Sequence, residues 1–285
     1  MELNEKTAVI TGGASGIGRA MARRFVAAGA NVVVGDIEEP AITATVDELV
    51  AAGGEALGVR CDVADADSVD ALRDAAVARF GTVDVVCLNA GVAAGGPMHE
   101  LDLIDWRWTL DVNLYGVING ISAFLPAMHA ADSGHIVITA SVAGLLSYPW
   151  MGPYNASKHA VASIGETLHH ELAGTGVNVS VLCPGLVNTN ILDSERNRPE
   201  QLRKPALAAD DGTSELRDMA VAIYEDAMDP SVVADQVHDA IVAGQFWIVT
   251  DHVFDEAVTQ RHREIEGRTQ PVLRGHLLEE ELRHR

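Results

Sequence analysis

Short runs rich in valine and isoleucine recur along the chain, and segments long enough for a helix separate them. The runs cover residues 7–10, 31–35, 56–61, 83–88, 135–139, 177–183 and 245–250. The segments between them carry apolar residues at helical spacing. Strands and helices that alternate in this way form a parallel sheet covered on both faces. We therefore predict an α/β fold with a doubly wound parallel sheet of about seven strands and helices on both faces.

The chain is 285 residues long and 48% apolar, which fits one large domain or two small ones. We interpret residues 1–285 as a single domain, without internal repeats, linkers or low-complexity tracts. The segment of about 188–230 is long, mixed in charge and contains Pro199 and Pro205, so we expect a surface excursion that forms a substrate-binding loop or lid. Residues of about 251–285 form a C-terminal extension.

The formal net charge of −21 opposes nucleic acid and anionic membrane surfaces as partners, because phosphate binding requires clustered Lys and Arg. No run of about 18 uncharged apolar residues is present, as a membrane-spanning helix would require. The N-terminal sequence MELNEKTAVI places charges where a signal peptide needs an apolar core. We therefore predict a cytoplasmic protein.

The sequence gives no indication of a disulfide framework or a metal site. Cys61, Cys87 and Cys183 occur singly at the ends of strand-like runs and lack CxxC spacing, so we expect buried free thiols. His169 and His170 point to different sides of a predicted helix and are poorly placed to share a metal. No metal cofactor is predicted.

The stretch TAVITGGASGIGRA, residues 7–20, places four glycines after the first strand and at the start of a helix. Glycines there allow backbone N–H groups at the helix N-terminus to approach a phosphate, and the helix dipole favours the negative charge. The spacing of Gly12, Gly16 and Gly18 differs from GxGxxG. An ordinary glycine-rich turn remains an alternative for this stretch alone.

The second strand ends in Asp36, where a carboxylate can accept hydrogen bonds from the adenosine ribose of a dinucleotide. Asp36 favours NAD over NADP, because a 2′-phosphate about 4 Å away would be repelled by roughly 4 kcal/mol at an effective dielectric near 20. Positions 15 and 37 are Ser15 and Ile37, so neither carries an Arg or Lys that could offset this repulsion. Capping of the following helix is the alternative role for Asp36.

Tyr154 and Lys158 lie four residues apart in a predicted helix, and Ser141 precedes them. Residues at i and i+4 share a helix face, so the Lys158 ammonium is expected near the Tyr154 phenol. A phenol with an ordinary pKa near 10 needs roughly 4 kcal/mol of stabilisation of its phenolate to act as a base near pH 7. A neighbouring ammonium can supply most of it. The positive ring of an oxidised nicotinamide could supply the remainder.

With these motifs in this order, the sequence resembles the short-chain dehydrogenase/reductase family of the TGxxxGxG and YxxxK type, over residues of about 5–250. The resemblance implies a Rossmann fold with NAD as cofactor. Its NNAG signature is present except that Leu88 replaces the first Asn. The cofactor-binding residues that it implies are Gly12, Ser15, Gly16, Ile17, Gly18, Asp36, Asp62, Val63, Asn89, Ala90, Gly91, Tyr154, Lys158, Pro184, Gly185, Val187 and Thr189.

By the same resemblance, the catalytic residues are Asn113, Ser141, Tyr154 and Lys158. Tyr154 exchanges a proton with the substrate oxygen, Ser141 donates a hydrogen bond to it, and Lys158 also holds the nicotinamide ribose. Asn113 is expected to anchor a water in the proton relay. The predicted reaction is hydride transfer between NAD and a secondary alcohol or ketone. An NADPH-dependent carbonyl or acyl-chain reductase and a non-catalytic dinucleotide sensor are the alternatives.

The loop between Ser141 and Tyr154 is rich in large apolar side chains, including Trp150 and Met151. Such groups near a reacting centre commonly line a pocket, although a subunit interface is the alternative. Ile191 and Leu192 would add apolar surface opposite, and no clear anion site emerges. We therefore expect a neutral, hydrophobic small-molecule substrate. The resemblance also implies a homo-oligomer, a tetramer or else a dimer, formed through helices of about 104–129 and 154–174.

Overall fold

The computed structural model describes residues 1–203 and 227–272. Within these ranges, seven strands form one sheet in the order β3-β2-β1-β4-β5-β6-β7, and every neighbouring pair is parallel. The strands are β1 (Thr7–Thr11), β2 (Asn31–Asp36), β3 (Ala56–Arg60), β4 (Val85–Leu88), β5 (Gly134–Thr139), β6 (Val177–Cys183) and β7 (Trp247–Val249). The predicted fold class and strands are confirmed, with strand ends that differ by at most two residues.

The helices of the described residues lie between these strands. They are α1 (Gly16–Ala27), α2 (Glu39–Ala51), α3 (Ala66–Phe80), α4 (Leu103–Leu110), α5 (Gly116–Ala130), α6 (Gly152–Glu171), α7 (Pro230–Ala243) and α8 (Asp255–Gly267). A π-helical turn, Asp111–Tyr115, joins α4 to α5. Short 3₁₀ segments cover Val142–Gly144, Asn190–Asn197, Glu200–Leu202 and His252–Phe254.

Side chains that alternate along each strand divide the core into two clusters, one on each face of the sheet. On β1, Ile10 belongs to one cluster and Val9 to the other, as the two-residue period of a strand requires. The first cluster includes side chains of α1, α2 and α7, such as Phe25. The second includes side chains of α3, α5 and α6, such as Phe124. Strands buried on both faces explain the continuous apolar runs in the sequence.

The chain enters the sheet at its centre, builds outward to β3 and then returns to place β4 on the other side of β1. The loops that follow β1 and β4 therefore diverge to opposite faces of the sheet. A crevice forms at the carboxyl ends of strands where the order reverses in this way, and ligands of such sheets bind there.

Two segments outside the regular alternation lie over this edge. Of the predicted substrate loop, about 188–230, residues 188–203 and 227–230 are described, and Lys204, Pro205 and the remainder to residue 226 lie outside the described residues. The C-terminal extension packs through Phe254 and Ala257 against Val142 and Leu146, which follow β5. Residues 273–285 also lie outside the described part of the chain.

All three thiols are free and buried, as predicted. Among residues 1–203 and 227–272, no helix has the length and apolar character needed to cross a membrane. Within the same two ranges, no group of three or more His, Cys, Asp or Glu side chains is arranged to hold a metal ion.

One buried titratable group makes the stability of the fold depend on pH. His135 is fully buried in β5, where its Nε2 lies 2.8 Å from Ser180 Oγ, and burial lowers the pKa of its imidazole to about 4. The unfolded chain therefore binds more protons than the native chain between the native pKa and the ordinary value near 6.5, so stability falls as the pH drops through this window.

We expect the free energy of unfolding to fall by about 2 kcal/mol between pH 7 and pH 5 on account of His135. His135→Gln removes the titrating group but keeps a polar side chain. Urea unfolding of this variant should therefore show a correspondingly smaller decrease in the free energy of unfolding between pH 7 and pH 5. His170→Gln, at an exposed position of α6, is the control and should retain the full dependence. An equal loss in all three proteins would contradict the assignment.

Candidate active site

A cavity of about 790 Å³ opens at the carboxyl ends of the strands, where the topology places the crevice. It is lined by loops that follow β1 to β6 and by Phe254 from the C-terminal extension. The cavity contains all but three of the residues that the sequence singled out for cofactor, catalysis and substrate. The three exceptions are Gly18, Asn113 and Trp150.

The turn after β1 requires glycine for two reasons. Its backbone conformation and packing leave no room for a Cβ, and side chains there would fill the cavity. Gly12 has a φ of +62°, and a Cβ there would lie 2.9 Å from the Ala90 Cα. A Cβ on Gly18 would lie 2.1 Å from the Gly12 carbonyl oxygen, so Gly18 allows α1 to pack against the turn from behind. The N-terminus of α1 consequently opens directly into the cavity at Ser15 and Gly16, and this cradle fits a pyrophosphate.

Asp36 lies at the end of β2 and organises the turns on either side of it. One carboxylate oxygen accepts a hydrogen bond from the Ala14 N–H at 3.0 Å, and the other accepts from Ile37 and Glu38 at 2.7 and 3.2 Å. The carboxylate thus holds the turn before α2. It does not cap that helix, because the N-cap residue is Glu38 and Asp36 bonds only N–H groups that precede the helix. It also lines the cavity, where the adenosine ribose of a dinucleotide is expected. The two roles coexist because a carboxylate has about four lone-pair sites.

Asn89 joins the carboxyl ends of the three central strands. Its Nδ2 donates to the carbonyl of Thr11 at 3.1 Å, and its Oδ1 accepts from the Thr139 hydroxyl at 3.3 Å. The Thr11 hydroxyl accepts in turn from the N–H groups of Asn89 and Ala90. Leu88, the residue before Asn89, is a buried apolar side chain in β4.

Ser141 and Tyr154 meet on the cavity wall. The Ser141 hydroxyl accepts from the Ala143 N–H at 3.1 Å and lies 3.4 Å from the Pro184 carbonyl, which accepts from it. Burial raises the pKa of the Tyr154 phenol above its ordinary value, and hydrogen bonding with Ser141 offsets only part of that increase. Burial at this position therefore favours the neutral phenol over the phenolate.

Lys158 lies one helical turn beyond Tyr154, as its spacing predicts, with Nζ 5.6 Å from the centroid of the tyrosine ring. The ammonium donates to the Thr139 carbonyl at 2.8 Å. Burial lowers the pKa of Lys158 to about 8, partly opposed by the nearby Cys183 thiol. The lowering of the phenol pKa that the sequence suggested is not found here, because desolvation dominates the titration of both side chains.

Asn113 supports the site from behind the cavity wall. Its Oδ1 accepts from the Val92 N–H at 2.8 Å, while its Nδ2 donates to the Val92 carbonyl at 2.9 Å and to Ser157 Oγ at 3.0 Å. Asn113 lies in the π-helical turn between α4 and α5. This turn changes the direction of the backbone at this point. The side chain thereby fixes the loop after β4 against the helix that carries Tyr154.

The substrate end of the cavity is apolar and is built from distant parts of the chain. Met151, Ile191 and Leu192 line it, as their predicted role requires. Trp108 and Phe254 also line it and are fully buried, but no motif marked them in the sequence. Their large apolar side chains were the available signal, yet only the tertiary packing brings them to this site.

Trp150 lies elsewhere. Its side chain is 68% exposed and borders a shallower depression with Met98 and Trp106, outside the main cavity. Its backbone carbonyl accepts from the Gly96 N–H at 2.7 Å, so the residue joins two loops rather than facing the Tyr154 hydroxyl. The described structure thus separates Trp150 from Met151, its sequence neighbour.

Known proteins share this sequence and fold. A family model for short chain dehydrogenases matches residues 6–200. The 1-deoxy-11-beta-hydroxypentalenate dehydrogenase of Streptomyces exfoliatus is 36% identical over 228 residues, covering 79% of this chain and 80% of that protein. The cis-4-hydroxycyclohexanecarboxylate dehydrogenase of Sinomonas cyclohexanicum is 41% identical over 189 residues, covering 66% and 76%. A crystal structure of a short-chain dehydrogenase/reductase from Burkholderia phymatum in complex with NAD has a TM-score of 0.91 at 44% identity, covering 95% of this chain and 98% of that chain.

Proposed function

Because the chain belongs to the short-chain dehydrogenase/reductase family, whose model matches residues 6–200, we propose that it transfers a hydride between NAD and a secondary alcohol or ketone. Membership makes the protein an oxidoreductase. The observation that carries the proposal is that Ser141, Tyr154 and Lys158 line the same cavity as the glycine turn. A non-catalytic dinucleotide sensor has no need of these three side chains together, which argues against that alternative.

Tyr154 is the general acid and base of the proposed reaction. A bound oxidised nicotinamide supplies the hydride acceptor and a positive charge in the cavity. Tyr154 takes the proton from the substrate hydroxyl, or returns one to the carbonyl oxygen, and Ser141 donates a hydrogen bond to that oxygen. Lys158 adds a positive charge on the same helix face, which favours the phenolate.

The carboxylates at the end of β2 support NAD as the cofactor. Asp36 and Glu38 both line the cavity there, and a 2′-phosphate in this region would meet their negative charges. The Burkholderia relative is in complex with NAD, which agrees with this choice. An NADPH-dependent reductase would need a cation in this region that is free to pair with the phosphate. The Arg196 guanidinium near this end of the cavity already pairs with Glu38 at 2.7 Å.

The lining of the substrate end favours a neutral, hydrophobic alcohol. Trp108, Met151 and Phe254 contribute apolar surface there. The guanidinium of Arg198 beneath Trp108 is paired with Glu195 and Asp105, so it offers no free charge to an anionic substrate. The names of the two dehydrogenase relatives denote hydroxylated carboxylates. The proposal of a neutral substrate is therefore tested by comparing turnover of neutral alcohols with turnover of alcohols that carry a carboxylate.

A screen of secondary alcohols with NAD and NADP in parallel tests the reaction and both specificities. We expect cyclohexanols and larger alicyclic alcohols to reduce NAD, with a preference over NADP of at least roughly 100-fold in kcat/KM, since about 3 kcal/mol of the estimated repulsion suffices. Turnover restricted to sugars, polyols, phosphorylated alcohols or hydroxycyclohexanecarboxylates would contradict the neutral substrate. Equal use of NADP would contradict the role of Asp36.

Replacement of Asp36 tests how much its charge contributes to the preference for NAD over NADP. Asp36→Asn removes the charge and keeps one of the two acceptor oxygens, so the preference for NAD should narrow. The matched control is Asp67→Asn at an exposed position in α3, outside the cavity, which should leave the preference unchanged.

We expect Tyr154→Phe to reduce turnover to below roughly one per cent of wild type while leaving NADH binding nearly intact, because it removes the proton carrier without altering the glycine turn. Activity is followed by absorbance of reduced cofactor and binding by fluorescence titration. Tyr115→Phe makes the same chemical change outside the cavity and keeps an apolar ring at that position, so it should retain full activity. Residual turnover above that level would rule out the general acid–base role.

We also propose that the protein is a homo-oligomer, a tetramer or else a dimer. The segment through α4, the π-helical turn and α5 exposes four large apolar side chains, Leu103, Ile104, Tyr115 and Ile118, within the region predicted to form subunit contacts. Such a patch on a water-exposed surface is typical of an interaction site. Light scattering at micromolar concentration should give a multiple of the 30.2 kDa chain mass, and a monomer mass alone would contradict the proposal.

A further inference from the structure

Residues 190–203, which we call the strap, connect to the β2–α2 turn through two side chains, Arg196 and Asn197. Arg196 makes most of these contacts. Its Nε and Nη2 donate to Glu38 Oε1 at 3.1 and 2.7 Å. Asn197 Nδ2 donates to the same oxygen at 2.8 Å. The remaining guanidinium nitrogen donates to the carbonyls of Asn190 and Asp193, so Arg196 also closes the 3₁₀ segment from which it projects.

Glu38 places this contact at the adenosine end of the cavity. It follows Asp36 by two residues, and its N–H donates to the Asp36 carboxylate at 3.2 Å. Glu38, Arg196 and Asn197 line the same cavity as the glycine turn. The ion pair therefore joins the turn that faces the expected ribose to a segment whose Ile191 and Leu192 face the substrate end.

The strap is attached much more firmly at its other side. Arg198 is 2% exposed, stacks over the Trp108 ring at 4.1 Å and forms ion pairs with Asp105 on α4 and Glu195 on the strap itself. By contrast, the Arg196 and Glu38 side chains are 30% and 33% exposed. Exposed ion pairs are weak and break readily, whereas separating a buried pair leaves uncompensated charge. Opening will therefore occur first at Glu38.

We propose that Glu38, Arg196 and Asn197 form a latch that holds the strap over the adenosine half of the dinucleotide and sets the rate of cofactor exchange. The inference rests on the proposed nicotinamide cofactor. Glu38 and Arg196 are positioning residues, because they act through the strap rather than on the reacting atoms. The latch contacts lie at the Asp36 end of the cavity, so we expect their loss to affect dinucleotide release first.

The charge of Glu38 is suited to this role at neutral pH. Burial of the carboxyl raises its pKa, but hydrogen bonds from Asn197 and Arg196 and the charge of Arg196 outweigh that effect, so the pKa lies below its ordinary value. The latch is therefore fully ionised wherever the protein is assayed near neutrality.

The test is the dissociation rate of NADH from the full-length protein, measured by stopped-flow fluorescence after mixing with excess NAD. Glu38→Gln and Arg196→Gln should each release NADH about two- to fivefold faster, the range expected for loss of an exposed ion pair. The double variant should release NADH no faster than the more affected single variant, because both changes remove the same interaction.

Ionic strength provides a second readout that a merely structural role would not change. The Debye length falls from about 10 Å at 0.1 M to about 3 Å at 1 M salt, so release from wild type should accelerate with salt, and release from the variants should accelerate much less. The matched control is Glu55→Gln, which removes the carboxylate of the exposed Arg79–Glu55 pair at 2.6 Å, outside the cavity. It should behave like wild type.

The possible results of these experiments distinguish failure of the proposed latch from failure of the proposed function on which it rests. Equal NADH release in wild type, Glu38→Gln and Arg196→Gln, with NADH bound in each and the same salt dependence, would overturn the latch and leave the proposed function standing. Additive effects in the double variant would show that the residues act independently and would also overturn it. A wild-type protein that binds no NADH would overturn the proposed function and the latch together.

Discussion

The amide of Asn89 is the interaction on which the site depends. It hydrogen-bonds to the carbonyl of Thr11 on one side and to the hydroxyl of Thr139 on the other. The backbone carbonyl of Thr139 then accepts from the Lys158 ammonium. A continuous polar path therefore runs from the glycine turn through the centre of the sheet to the helix of Tyr154. Thr11, Thr139 and Lys158 are buried and Asn89 is partly buried, so these polar groups would be costly without their partners, and the path fixes the two halves of the site relative to each other.

The same burial explains why the two central titratable groups resist ionisation. Desolvation raises the pKa of the Tyr154 phenol and lowers the pKa of Lys158 to about 8. The sequence indicates only that a phenol and an ammonium share a helix face, and it therefore suggests a phenol with a lowered pKa. The structure adds the apolar surroundings, which favour the neutral form of both groups. Added positive charge near the phenol would favour its ionised form.

The features of the fold and the site that could be predicted are those that short stretches of sequence determine. Continuous runs rich in valine and isoleucine made the strands recognisable. The glycine spacing marked the turn, where a Cβ at Gly12 or Gly18 would collide with backbone. The spacing of Tyr154 and Lys158 placed both on one helix face. These features are recognisable in short stretches of sequence, so no knowledge of the tertiary structure was needed to find them.

The parts that could not be predicted depend on residues far apart in the chain. Phe254 reaches the cavity only because β7 returns the chain to the sheet edge, and nothing in its local sequence indicates this. Trp150 and Met151 are adjacent and both apolar, yet the backbone turns between them, with a φ of +63° at Trp150, and sends them to different surfaces. Composition of a loop predicts that some of its side chains will be buried, but not which ones.

The strap shows how one segment can serve both halves of the cavity. Its Ile191 and Leu192 line the substrate end, and two of its arginines, Arg196 and Arg198, extend to opposite sides of the cleft. Trp108 lies under the guanidinium of Arg198, so the aromatic wall of the substrate end is held by the same segment that contacts the turn after Asp36. A displacement of the strap large enough to open the adenosine end must therefore also move Ile191 and Leu192. Cofactor exchange and the shape of the substrate end are for this reason not independent properties of the protein.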